Sequence, residues 1–183
     1  MDQVLRLTIA ALVLLAGLAV YAQTTTTDRS FVGKAVTRTA TIRLEGPVEK
    51  VFPLFGPVDE ARWVAGWDPQ VIYPAGAKAA EGLVFVTREH AETTWVMAEY
   101  DPARLAVTYY NVTPGYQVRK IAIRCRAVGG ATEATVAYSY VGLSETGNKD
   151  VEEMTESNYA AKMEHWTVAI NHYLKTGKTM THP

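Results

Sequence analysis

Between Val71 and Val141 the chain is one β-rich run after another, and the turns between the runs are only a few residues long. No other feature of the sequence narrows its folds as much. Val71–Tyr73, Leu83–Thr87, Thr93–Tyr100, Leu105–Val112, Tyr116–Ala127 and Thr132–Val141 read as strands. In the last of them Ala134, Val136, Tyr138 and Tyr140 share one face, the period-2 signature of a half-buried strand. Pro74 with Gly76, Asp101-Pro102, Thr113-Pro114-Gly115 and Gly129-Gly130 punctuate the series. A parallel crossover takes about a dozen residues, more than most of these gaps hold, so the spacing predicts an antiparallel meander of hairpins.

Ahead of the meander, Thr37–Leu44 alternates, with Ala40, Ile42 and Leu44 on one face. Gly46-Pro47 breaks that strand, and Pro47 suits a first helical residue. Val48, Val51, Phe52 and Phe55 then recur at helical spacing, predicting a short helix that Gly56-Pro57 ends. A second helical turn is expected over Val58–Trp63. Behind the meander the spacing predicts one helix over Asp150–Lys175, with Asp150 and Glu153 as its capping box and Gly177 as its C-cap. Met163, Trp166, Ile170 and Leu174 (or Tyr173) form its apolar stripe. Lys162, Glu164, His165 and Lys175 lie mostly off it. Such a helix is about 37 Å long, enough to cross a whole sheet. The arrangement these elements favour is an α+β fold in which a curled antiparallel sheet receives the long helix on its concave face.

The 183 residues suffice for one domain. The 18 basic and 19 acidic residues are scattered, with no basic block, which argues against nucleic-acid binding. Cys125, the single cysteine, cannot form an intramolecular disulfide and reads as a small buried apolar residue. Leu7–Ala22 is apolar except for Thr8. Its helix would be about 24 Å long, short of the roughly 30 Å hydrocarbon core and closer to a signal-peptide core. Val20-Tyr21-Ala22 offers small residues for cleavage, whereas Asp2 weakens the positive start set by Arg6 and leaves an uncleaved anchor open. The expected organisation is a signal peptide or membrane anchor over 1–22, a polar linker over 23–35, the domain over 36–177 and a tail over 178–183. The product is expected to be periplasmic or secreted. The alternative is a domain held at the inner membrane through residues 7–22.

Three stretches carry a resemblance. Leu44-Glu45-Gly46-Pro47-Val48-Glu49-Lys50-Val51-Phe52, the segment Trp63-Val64-Ala65-Gly66-Trp67-Asp68-Pro69 with Tyr73-Pro74, and Trp166 to Gly177 fall in order across the domain. Together they resemble the START, birch-pollen-allergen and polyketide-cyclase-like group known as SRPBCC. The resemblance spans about Val36 to Gly177 and implies a helix-grip fold with a cavity between sheet and long helix. It also implies an apolar or amphipathic ligand and brings no shared catalytic residue.

Aromatic side chains with a polar tip suit a mostly apolar pocket, although the same stripes also build ordinary cores. The candidate cavity residues are Trp67, Phe85, Tyr100, Tyr109, Tyr138, Met163, Trp166 and Ile170. His90 and His165 are expected at the solvated surface, and His165 with His172 is too small a set for a metal. Neither a metal nor a cofactor is expected. Asn111-Val112-Thr113 matches a glycosylation sequon, discounted because Pro114 follows. The first functional reading is extracytoplasmic binding of a small hydrophobic or amphipathic molecule, lipid-like or aromatic. The second is a cyclase- or dehydratase-like enzyme with Tyr109, Tyr138 or His165 as proton donor. The third is an envelope interaction module with a collapsed cavity. The absence of a recognisable paired acid and base favours binding over catalysis. The oligomeric state is open.

Overall fold

The computed structural model describes residues 31–89 and 91–180, so the expected leader and His90 lie outside the described residues. The fold is that of the second of two compact units, Gly33–Pro183. Seven strands make one antiparallel sheet: β1 (Ala35–Leu44), β2 (Gln70–Tyr73), β3 (Val84–Thr87), β4 (Thr93–Asp101), β5 (Ala106–Thr113), β6 (Gln117–Val128) and β7 (Ala131–Gly142). Their order is β1-β7-β6-β5-β4-β3-β2, so the meander is intact and only β1 joins out of sequence. β1 and β2 form the two edges, and the curled sheet stays open.

Alternation along each strand sends two cross-sheet rows into the concave face. The first, Met97, Tyr109, Ile121 and Tyr138, is paired strand to strand and almost fully buried. The second, Trp95, Asn111, Arg119 and Tyr140, is its polar neighbour. One row builds core, and the other builds a wall.

Between β1 and β2 run α1 (Val48–Val51), a 3-10 turn (Phe52–Phe55) and α2 (Pro57–Glu60). The second helical turn begins one residue before the sequence reading and stops at Glu60, because Pro57 occupies its first turn behind Gly56. Helices this short leave most of their terminal carbonyls without intrahelical partners. Aromatic side chains supply the missing donors. Trp63 Nε1 donates to the Leu54 carbonyl at 2.9 Å, Tyr109 Oη to that of Phe55 at 2.6 Å, and Trp67 Nε1 to that of Pro57 at 2.7 Å.

The C-terminal region departs from the sequence reading. Instead of one helix over Asp150–Lys175 there are two, α3 (Glu145–Glu153) and α4 (Glu156–Thr176). Asp150 and Glu153 fall inside α3 and form no capping box; Ser144 and Thr155 are the N-caps, accepting from Gly147 N and Asn158 N. The break is local chemistry. Met154 leaves the helical region, and the extended backbone of Thr155 presents its hydroxyl to the next helix. Arg38 Nε meanwhile donates to the freed Met154 carbonyl at 2.9 Å. α3 sits against the β5–β6 turn, where Gly147 allows backbone contact: a Cβ there would lie 1.9 Å from the Tyr116 carbonyl oxygen.

α4 lies over the concave face. Tyr159 Oη donates to Val136 O on β7 at 2.8 Å, and Asn171 Oδ1 accepts from Glu45 N at 2.8 Å. Met163, Ala169 and Ile170 are buried beneath it. Gly177 ends it in the left-handed region (φ 69°), with its N–H on the Tyr173 carbonyl, as expected from sequence. Among the described residues no helix is long and apolar enough to cross a membrane.

Candidate functional site

A cleft of about 670 Å³ opens between α4, the α2–β2 segment and the polar row of the sheet. Below it, a pocket of about 20 Å³ reaches into the core. The two share Glu60, Trp95, Tyr138 and Trp166. Around them the rings pack against one another, mostly edge to face. Trp67 meets Trp95 with centroids 5.6 Å apart, Phe85 stacks on Trp95 at 5.4 Å, and Trp166 meets Tyr138 at 6.1 Å and Trp63 at 5.3 Å. Such pairs add to the burial energy and fix ring orientation, so the cleft has stiff, flat walls.

Four ionisable side chains, Glu60, Glu89, Arg119 and Lys162, line the cleft. The side chain of Glu60, the last residue of α2, makes no hydrogen bond or ion pair among the described residues. Loss of water around it pushes its carboxyl up to about 8, the attraction of Lys162 opposes that rise, and the repulsion of Glu89 adds to it. Lys162 on α4 sits with Nζ 4.0 Å from the centroid of the Tyr138 ring and 3.4 Å from Tyr140 Oη. Burial brings its ammonium down to about 8, helped by Arg119 and opposed by Glu60. Arg119 Nε donates to Asn111 Oδ1 at 2.8 Å, and its guanidinium stands 5.8 Å from the centroid of Trp95. These shifts favour the uncharged acid at Glu60 at neutral pH and leave Lys162 mostly cationic. Glu89 is exposed at the mouth of the cleft.

Of the candidate cavity residues, the structure places Trp67, Tyr138 and Trp166 on the cleft wall. Phe85 and Tyr109 line the small inner pocket. Tyr100 stacks on Phe52 at 5.5 Å, and Met163 and Ile170 are core residues under α4; these three do not line the cleft. Tyr109 and Tyr138 are held well above the usual phenol range by burial. His165 is exposed, and no group of three metal-ligating side chains occurs among the described residues. Cys125 is buried, and its thiol is pushed up to about 12 by desolvation, which makes it inert. Asn111 is only 1 % exposed on the inner face, where no glycan could attach.

Glu60, Lys162 and Arg119 escaped the sequence reading, which found no paired acid and base. A signal existed. Lys162 lies one helical turn before Trp166, and Glu60 lies three residues before Trp63, each on the face of a ring that turns inward.

A curled seven-stranded antiparallel sheet, two short helices and a long C-terminal helix over the concave face define a helix-grip fold. Solved structures share it at low identity. Norcoclaurine synthase from Thalictrum flavum aligns over 82 % of this chain and 96 % of its own, with TM-score 0.56 and 11 % identity. Ara h 8.0201 aligns over 78 % and 99 %, with TM-score 0.59 and 14 % identity. The ZhuI aromatase/cyclase from Streptomyces sp. R1128 aligns over 81 % and 100 %, with TM-score 0.53 and 14 % identity. No protein-family model matches the sequence, and no curated protein does.

Proposed function

We propose that the domain binds a small hydrophobic or amphipathic molecule with a flat aromatic body, and that it does so outside the cytoplasm. The observation that carries the ligand reading is the cleft itself: about 670 Å³ of space walled by rings that already hold one another in place. Ligand sites of this kind are largely preformed, mostly apolar and furnished with a few polar groups. An open cleft also weighs against a collapsed interaction module. The location rests on Leu7–Ala22, whose composition fits an export signal or anchor.

Native mass spectrometry of the purified chain tests the ligand reading. One-to-one adducts with an apolar small molecule are expected. Bare protein throughout, with no displacement of an apolar fluorescent dye by lipid or aromatic extracts, refutes it. Location is read by fusing alkaline phosphatase to the C-terminus, which is active only after export; an inactive fusion removes the extracytoplasmic reading.

A second reading, a cyclase-like enzyme in the same cleft, draws on Glu60 and Lys162. Groups that titrate about one unit above neutrality are well matched to giving and taking protons. That reading requires turnover of an aromatic or polyketide-like substrate to collapse in both Glu60→Gln and Lys162→Met, and a variant with unaltered turnover removes its residue from the mechanism.

A further inference from the structure

We propose that the cleft selects anionic ligands, receiving a carboxylate or phenolate carried by the aromatic body between Lys162 and Arg119. This inference rests on the ligand-binding reading and narrows it to a chemical class.

The first support is an imbalance of charge. Arg43, Arg62, Arg88, Arg104, Arg124 and Arg126 each meet a carboxylate at the surface. There water already screens the charge, and the pairing contributes little. Lys162 and Arg119 are half-buried in the cleft wall, yet neither makes an ion pair among the described residues. A cation in that position gains most from a counter-ion. The nearby Glu60 carboxyl is a poor counter-ion, because loss of water disfavours its charged form.

The second support is an imbalance of hydrogen bonding. Arg119 uses Nε on Asn111, which leaves both terminal nitrogens without an acceptor among the described residues. Lys162 has, among the described residues, a single hydrogen-bond contact, 3.4 Å to Tyr140 Oη. Asn111 Nδ2 is a buried donor without a partner among the described residues, and the bond from Arg119 to Oδ1 fixes which end of the amide is the donor. Protonated Glu60 adds one more donor. Half-buried cationic donors of this kind seek acceptors, and an oxyanion is the ligand group that accepts from several at once. Arg119 beside the Trp95 ring and Lys162 above the Tyr138 ring set that anion next to the aromatic walls.

The test compares two ligands of one shape on the purified full chain: anthracene-2-carboxylate and its neutral counterpart anthracene-2-carboxamide, each titrated calorimetrically at neutral pH. The carboxylate is expected to bind at least about tenfold more tightly, the usual return from charge-assisted hydrogen bonds. Lys162→Met should remove most of that preference while leaving the carboxamide within about threefold of its wild-type affinity. Equal binding of the two, or tighter binding of the carboxamide, overturns the anion inference and leaves the aromatic cleft standing. If neither binds, the ligand-binding reading falls and this inference falls with it. The wild-type comparison decides the matter even if the variant fails to fold.

Discussion

Glu60→Gln isolates what it costs to ionise a carboxyl inside the cleft, because the amide keeps the shape and does not titrate. The carboxyl titrates at 4.5 when free in the unfolded chain and at about 8 in the folded one. Between those values the native state keeps a proton that the unfolded state has released. Wild-type stability therefore falls as pH rises through the window and levels off above it. At about 1.4 kcal/mol per unit, the shift from 4.5 to about 8 sets a ceiling of about 5 kcal/mol. The cleft is open, however, and water entering it solvates part of the charge, which brings the expected span to about 2–3 kcal/mol. Lys162, lowered to about 8, gives the opposite slope at higher pH, and it does so in both proteins. Urea unfolding followed by tryptophan fluorescence at about pH 5, 7 and 9 gives the two stability curves. The variant should gain on the wild type between the first and last of these. Parallel curves would mean that the carboxylate is as well hydrated in the cleft as in the unfolded chain, and the electrostatic account of the site would be refuted.

Gly147→Ala puts a Cβ 1.9 Å from the Tyr116 carbonyl oxygen, with backbone on both sides, and should cost about 2–4 kcal/mol; an unchanged urea midpoint would show that α3 has room to move. Thr155→Ala removes the hydroxyl that accepts from Asn158 N at 3.2 Å and should cost about 1 kcal/mol in thermal melts. A melt indistinguishable from wild type would assign the start of α4 to packing alone. Trp166→Ala strips ring contacts to Trp63, Phe55 and Tyr138 and should cost about 2–4 kcal/mol while weakening an aromatic dye at least about tenfold. Undiminished dye binding would move the ligand away from α4.

The strands were legible because each carries its own evidence: alternation and a turn at either end need no knowledge of the rest of the chain. The single helix over Asp150–Lys175 failed for the same reason in reverse. Helical periodicity runs through Met154-Thr155, and only the cap geometry at Thr155 together with the arrival of Arg38 from β1 shows that α3 ends there. Lys162 was set aside as off the apolar stripe, although a residue four before Trp166 shares its face. Sorting by residue type left it off the stripe; its position over Tyr138 places it in the cleft.

Glu60, Lys162 and Arg119 come from α2, α4 and β6, so no window of sequence contains the site. Their meeting depends on how the short helical segment is seated, and that depends on three aromatic donors. Trp63 and Trp67 clamp the carbonyls of Leu54 and Pro57 from beyond α2, while Tyr109 clamps that of Phe55 from β5. Trp67 and Tyr109 also line the cleft and the pocket beneath it. The rings that shape the cavity thus hold in place the backbone carrying its acid. Replacing Tyr109 by Phe should therefore act at a distance, freeing the Phe55 carbonyl and loosening Glu60 relative to Lys162. Its signature is a drop in the Glu60 carboxyl toward the ordinary range, read by carboxyl NMR, with the ring still in the wall. A Glu60 that titrates unchanged in that variant would show that the seating is set by α1 and the core instead.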